Sequence, residues 1–141
     1  MIVKGKLSKS RMAALTFFAD ELLTKQMQRH IMITIIFRRK MAHLGLTSVE
    51  DYNASYKPRE FILDINTKQT EDEIIRTLAH EMVHRKQDEL GLIKNPIKDG
   101  GTGSPIENQA HAVAGILMRE YGRINTQIYQ EAHTAYNHKL T

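Results

Sequence analysis

Apolar residues recur every third or fourth position over three stretches of this chain and run almost unbroken over another, and these patterns predict its elements. Met12, Leu15, Phe18, Ala19, Leu22 and Leu23 form a helical stripe to about Gln28, and Ser8 or Ser10 can cap it. The run Ile31-Met32-Ile33-Thr34-Ile35-Ile36-Phe37 is too short to span a membrane and rich in β-branched residues, which predicts a buried strand. Two further strands are expected over Val49–Ala54 and Arg59–Ile65, with a turn near Lys57-Pro58. Helical spacing returns with Ile74, Ile75, Leu78, Ala79, Met82 and Val83, behind a capping box and acidic first turn at Thr70-Glu71-Asp72-Glu73. That helix is predicted over about 71–90, ending at Gly91. Ser104 as N-cap and Pro105 at the first helical position open another helix to about Tyr121. Its inward arc holds Ile106, Ala110, Val113, Ala114, Leu117 and Tyr121. Lys94 to Ser104 carries too much Gly and Pro to be anything but loop, either mobile or a plain connector, and a last helix is expected from about Asn125 to His138. The sum is an α+β architecture with a small sheet of about three strands.

At 141 residues and 41% hydrophobic content the chain is expected to form a single domain, residues 1–141, around one core. The absence of cysteine rules out a disulfide framework, and the opening Met1-Ile2-Val3-Lys4-Gly5-Lys6 lacks the apolar region of a signal peptide. The expected location is therefore cytoplasmic, with no membrane partner. The net charge of +4 is concentrated at Lys4, Lys6, Lys9 and Arg11 and at Arg38-Arg39-Lys40. Nucleic acid is a possible partner, but aromatic interleaving and a recognised nucleic-acid motif are missing, so a solvated basic surface is favoured.

The chemistry concentrates in His80-Glu81-Met82-Val83-His84, an H-E-x-x-H run inside the predicted 71–90 helix. At 100° per residue, two His four apart lie about 40° from each other, opposite the apolar arc, so both can address one ion with Glu81 at the boundary. An idle pair on a solvated face is the competing reading; it accounts for neither the pairing nor the Glu between. Zinc in a hydrolase takes three protein ligands and one water, and without cysteine the third ligand must be His, Glu or Asp. Arg85 to Leu90 supply neither the Gly nor the His of the extended metzincin form. Glu107 is the best candidate. It is also the N3 residue of a Ser-x-x-Glu capping box, where a Glu ordinarily reaches back to the cap. Yet it falls on the inward arc, where a carboxylate is costly unless it pairs or binds metal. His111, one turn further, is open as an alternative ligand, a partner of the ligands or a half-buried His beside the cleft.

On Lys57-Pro58-Arg59-Glu60-Phe61, on Thr77-Leu78-Ala79-His80-Glu81-Met82-Val83-His84 with Gln87, and on Ser104-Pro105-Ile106-Glu107-Asn108-Gln109-Ala110, the chain resembles the short bacteriophage-encoded zinc metallopeptidases. More distantly it is similar to the gluzincin-type ImmA/IrrE peptidase domain and to SprT-like proteases. Coverage is about residues 56–121. Two departures stand out: His111 occupies a position that is usually Asn in the ImmA-like pattern, and the thermolysin-type Asp four residues after the ligand Glu is absent. The resemblance implies a minimal zincin-like fold, its small sheet packed on the N-terminal helix, the H-E-x-x-H helix and C-terminal helices. It also implies host cytoplasm as the compartment. The expected site is zinc (Zn2+) on His80, His84 and Glu107, with Glu81 as general base and not a ligand, acting on a protein or peptide substrate. Tyr121 or His111 would be the donor to the substrate carbonyl. The alternatives are a DNA-associated SprT-like protease and a zinc-stabilised binding module that does not cleave.

Overall fold

In the computed structural model, which describes residues 2–29, 32–38, 45–50, 60–66, 68–94, 99 and 101–125, the chain combines a mixed sheet with helices. The strands are β1 (Ile2–Lys4), β2 (Met32–Arg38), β3 (Gly45–Glu50) and β4 (Glu60–Asn66); the helices are α1 (Lys9–Leu22), α2 (Lys25–Arg29), α3 (Glu71–Glu89) and α4 (Pro105–Ile124). The sheet order is β1-β2-β4-β3, with β1, β2 and β4 parallel and β3 antiparallel to β4. Ile33 pairs with Phe61 and Ile35 with Leu63 in the central ladder. This is an α+β arrangement with four strands among the described residues, not about three. The additional one, β1, has only three residues, too few to show any alternation.

The apolar run 31–37 becomes β2, and 59–65 becomes β4 with a one-residue offset. The strand expected at Val49–Ala54 instead begins at Gly45. A side-chain carbon added to Gly45 would sit 2.4 Å from Thr77 Cγ2, so only glycine lets the strand pass this close to α3. The turn at Lys57-Pro58, residues 51–59 and the expected helix at 125–138 lie outside the described residues, Asn125 excepted.

Ser8 caps α1, its hydroxyl accepting from the Arg11 N–H at 3.2 Å. The helix does not reach Gln28. Leu23 is extended, Thr24 Oγ1 accepts from Met27 N–H at 3.1 Å to start α2, and the Gln28 amide folds back onto the carbonyls of Ala19 and Leu23. Lys86 Nζ also donates to the Leu22 carbonyl, so two side chains serve the carbonyls at the end of α1. Of the expected stripe, Leu15, Phe18, Ala19, Leu22 and Leu23 are buried, whereas Met12 is 37% exposed.

α3 is the centre of the packing, against β3 and β4 on the sheet and against α1 and α4 among the helices. Ile74, Ile75, Leu78, Ala79, Met82 and Val83 are all buried, as the periodicity requires. Each larger apolar side chain among them contributes about 1.5–3 kcal/mol through removal from water. Phe17, Phe18 and Tyr121 join α1 to α4 through ring contacts at centroid distances of 5.3–6.0 Å. The starts of α1 and α3 are tied by Arg11, whose Nε and Nη2 each donate to a Glu71 oxygen at 2.9 Å.

Glu73 accepts from the Thr70 N–H at 3.4 Å at the beginning of α3. At its end, Gly91 takes φ +71°, Gly91 N–H donates to Asp88 O and Leu92 N–H donates to Gln87 O, both at 2.9 Å. That pair of bonds is a Schellman motif, which satisfies two carbonyls that the helix leaves open.

Candidate metal centre

α3 carries His80, Glu81 and His84, and α4 packs against it with Glu107 in its first turn. Ala110 and Ala114, on the same arc of this helix as Glu107, are both buried. The result is a convergence of three side chains. His80 Nε2 is 2.8 Å from Glu107 Oε1, His84 Nε2 is 3.1 Å from Glu107 Oε2, and the two Nε2 atoms are 3.2 Å apart. The imidazoles are 12% exposed and the Glu107 side chain 18%, so the cluster is largely sheltered but open on one side.

The bland role open to Glu107 is half realised. Ser104 Oγ accepts from the Glu107 N–H at 3.1 Å, as an N-cap does, but the Ser104 N–H goes to the Gly101 carbonyl and the Glu107 carboxylate goes to the imidazoles. Glu73 in α3 shows the ordinary behaviour by contrast, returning to its own cap.

His111 is brought to the same carboxylate, its Nε2 3.3 Å from Glu107 Oε1 and its ring centroid 4.4 Å from that of His80. Of the three readings open to it, the half-buried His beside a cleft is removed, since its side chain is 69% exposed. Tyr121 is placed elsewhere. It lies fourteen residues beyond Glu107, about 21 Å along the helix axis, buried against Phe17 and Phe18 with its hydroxyl accepting from Asn125. It is a core residue and does not face the cluster.

Glu81 is buried, and its carboxylate lies within 4.8 Å of the ring nitrogens of His80 and His84. Gly45 of β3 lies against it: a side-chain carbon there would be 3.2 Å from Glu81 Oε1. A second residue without an expected role is Gln87, also buried. Its Oε1 is 2.7 Å from His84 Nδ1, and its Nε2 donates at 2.9 Å to the Ile106 carbonyl and at 2.9 Å to Gln109 Oε1. Its traces in the sequence are the spacing His84 to Gln87, one turn on the same face, and its place in the motif that carries the resemblance, neither of which gives it a role. For Gly45 there is none.

Burial holds the His80 imidazole down to about 4 from 6.5, with the neighbouring His84 acting in the same direction, Glu107 opposing both, and His111 adding a smaller lowering. At neutral pH His80 is thus neutral, the form in which an imidazole binds a metal. The two Nε2 atoms, 3.2 Å apart, are close to the roughly 3.3 Å edge of a tetrahedron with zinc-like arms of 2.0–2.1 Å, and the two Glu107 oxygens lie beside them, one within 2.8 Å of His80 and the other within 3.1 Å of His84. Two overlapping groups, His80 with Glu81 and His84, and His80 with Glu107 and His111, bring donor atoms close enough to hold a metal ion, and Glu107 also contacts both imidazoles of the H-E-x-x-H helix.

Among the basic residues near the N-terminus, Lys4, Lys6 and Lys9 are exposed, while Arg11 is engaged by Glu71. No described helix is long and apolar enough to cross a membrane. No protein-family model, no curated protein and no solved structure matches this chain.

Proposed function

We propose that this chain is a zinc-dependent metallopeptidase of minimal zincin-like type, in which His80, His84 and Glu107 hold the metal and Glu81 is the general base. The observation that carries this is the meeting of the Glu107 carboxylate with both imidazoles of the H-E-x-x-H helix, across 27 positions from His80 and 23 from His84, one oxygen on each ring. A zinc ion with three protein ligands and one open position acidifies a bound water to near neutrality and polarises a peptide carbonyl.

The chain's own part follows from where Glu81 sits. Its carboxylate takes a proton from the attacking water as the water oxygen bonds to the peptide carbon; when the C–N bond breaks, the same proton passes to the leaving nitrogen. Burial against Gly45 and α3 limits the positions that carboxylate can take. Among the described residues β3 pairs only with β4, and an extended peptide added along its other edge would run beside Glu81. A protein or peptide substrate fits these features.

The test is zinc content of the purified protein by mass spectrometry, with Glu107→Ala under the same chelator challenge and Glu81→Gln assayed on a proteome-derived peptide library. About one zinc per chain is expected, weakened in Glu107→Ala and kept in Glu81→Gln, whose hydrolysis is lost. A parent chain that takes up no zinc after reconstitution sinks the proposal, and unchanged hydrolysis by Glu81→Gln removes the role of the base.

A further inference from the structure

We infer that Gln87 is a positioning residue that keeps a proton on His84 Nδ1, so that Nε2 is the nitrogen turned toward His80 and Glu107 and the one that would bind the metal. Its purpose rests on the metal centre proposed above, since without metal Glu107 Oε2, 3.1 Å from His84 Nε2, favours a proton there too; the Nδ1–H bond to Gln87 is a property of the folded chain itself.

The assignment follows from what each partner is able to do. A backbone carbonyl only accepts, so the end of the Gln87 amide facing the Ile106 oxygen at 2.9 Å must be the NH2 group. Its second hydrogen has an acceptor in Gln109 Oε1, also at 2.9 Å. The amide oxygen is then the atom 2.7 Å from His84 Nδ1, and because that oxygen only accepts, Nδ1 must carry the hydrogen. Reversing the amide would set two oxygens against each other between α3 and α4. Gln87 is 1% exposed, so water does not relieve that conflict.

Ile106 directly precedes Glu107. One side chain therefore orients the imidazole of His84 and fixes the height of the first turn of α4, from which Glu107 reaches the same imidazole. An apolar residue of similar size would fill the space and do neither. Partners of this kind, one bond removed from a metal ligand, typically matter by 10–100-fold in metal affinity.

The experiment is long-range nitrogen–proton NMR of the metal-free protein near neutral pH, joined to zinc competition titrations of the parent, Gln87→Met and Gln87→Glu. Parent His84 is expected to carry a proton at Nδ1. Gln87→Met should lose that fixed Nδ1 proton and bind zinc about 10–100-fold more weakly. Gln87→Glu, which keeps an acceptor for Nδ1–H but loses the donors to Ile106 and Gln109, should keep the Nδ1 proton and hold zinc more tightly than Gln87→Met, even at lower thermal stability. A role limited to joining the two helices would make zinc affinity follow stability in both variants, and that result overturns the inference. So does a parent His84 without a proton at Nδ1, a readout that needs no variant to fold. A parent with the Nδ1 proton that binds no zinc would sink the metallopeptidase proposal and leave the pairing of Gln87 with His84 supported.

Discussion

His80 shows how one residue's surroundings decide both its chemistry and its contribution to stability. Its pKa is about 4 in the folded chain against 6.5 as the unperturbed value, so folding favours the neutral ring. That contribution is complete above about pH 6.5 and is lost as pH falls toward 4, because the unfolded chain takes up the proton first. Urea midpoints of the chelated protein are expected to fall over this window, and His80→Asn should flatten the fall; an equally steep loss in the variant would contradict it. The identity of the His pair was legible because a helix fixes the angle between positions four apart, and Glu107 was legible because its place on the inward arc conflicts with its charge. The roles of Gln87 and Gly45 were not legible. Each depends on which atoms of another element arrive opposite, the Ile106 carbonyl in one case and the Glu81 carboxylate in the other. Tyr121 was misplaced for a related reason: it shares the inward arc with Glu107, but the arc does not say how far along the helix the site extends.

At the level of elements, the helices were the most readable parts, since α3 and α4 carry both a cap signal and a sustained apolar stripe. Where the local signal was weak, the reading failed. β1 is too short to have a period, the α1 stripe continues through Leu22 and Leu23 without showing that Leu23 turns extended, and β3 starts at a glycine selected by contact with α3. The end of α3 was anticipated at Gly91, and the structure gives the reason in its positive φ. A side-chain carbon at Gly91 would meet nothing within 4 Å, so substitution there tests backbone conformation alone. Gly91→Ala is expected to lower stability by about 1 kcal/mol in thermal or urea denaturation, with Gly91→Asn losing less because Asn tolerates the left-handed region. Equal losses for the two would mean that something other than φ governs the position.

For the molecule as a whole, the cluster and the core are separate sources of stability. The core joins α1, α3, α4, β2 and β4 through apolar side chains such as Leu15, Phe18, Ile35, Ile65, Met82 and Leu117, none of which is in the candidate metal centre. Chelation is therefore expected to leave helical circular dichroism and a cooperative transition in place, unlike a small domain that folds only around its metal. Adding zinc should then raise the melting temperature with ligand concentration, by about 2.7 kcal/mol of stabilisation at a hundredfold excess over Kd. Collapse of the chelated chain to an unfolded spectrum would show that the core alone is insufficient.

Gln87 has a further consequence. Its backbone carbonyl closes α3 by accepting from Leu92, while its side chain holds His84 and the first turn of α4. The residue that closes the last turn of α3 is thus also one that holds the candidate site together.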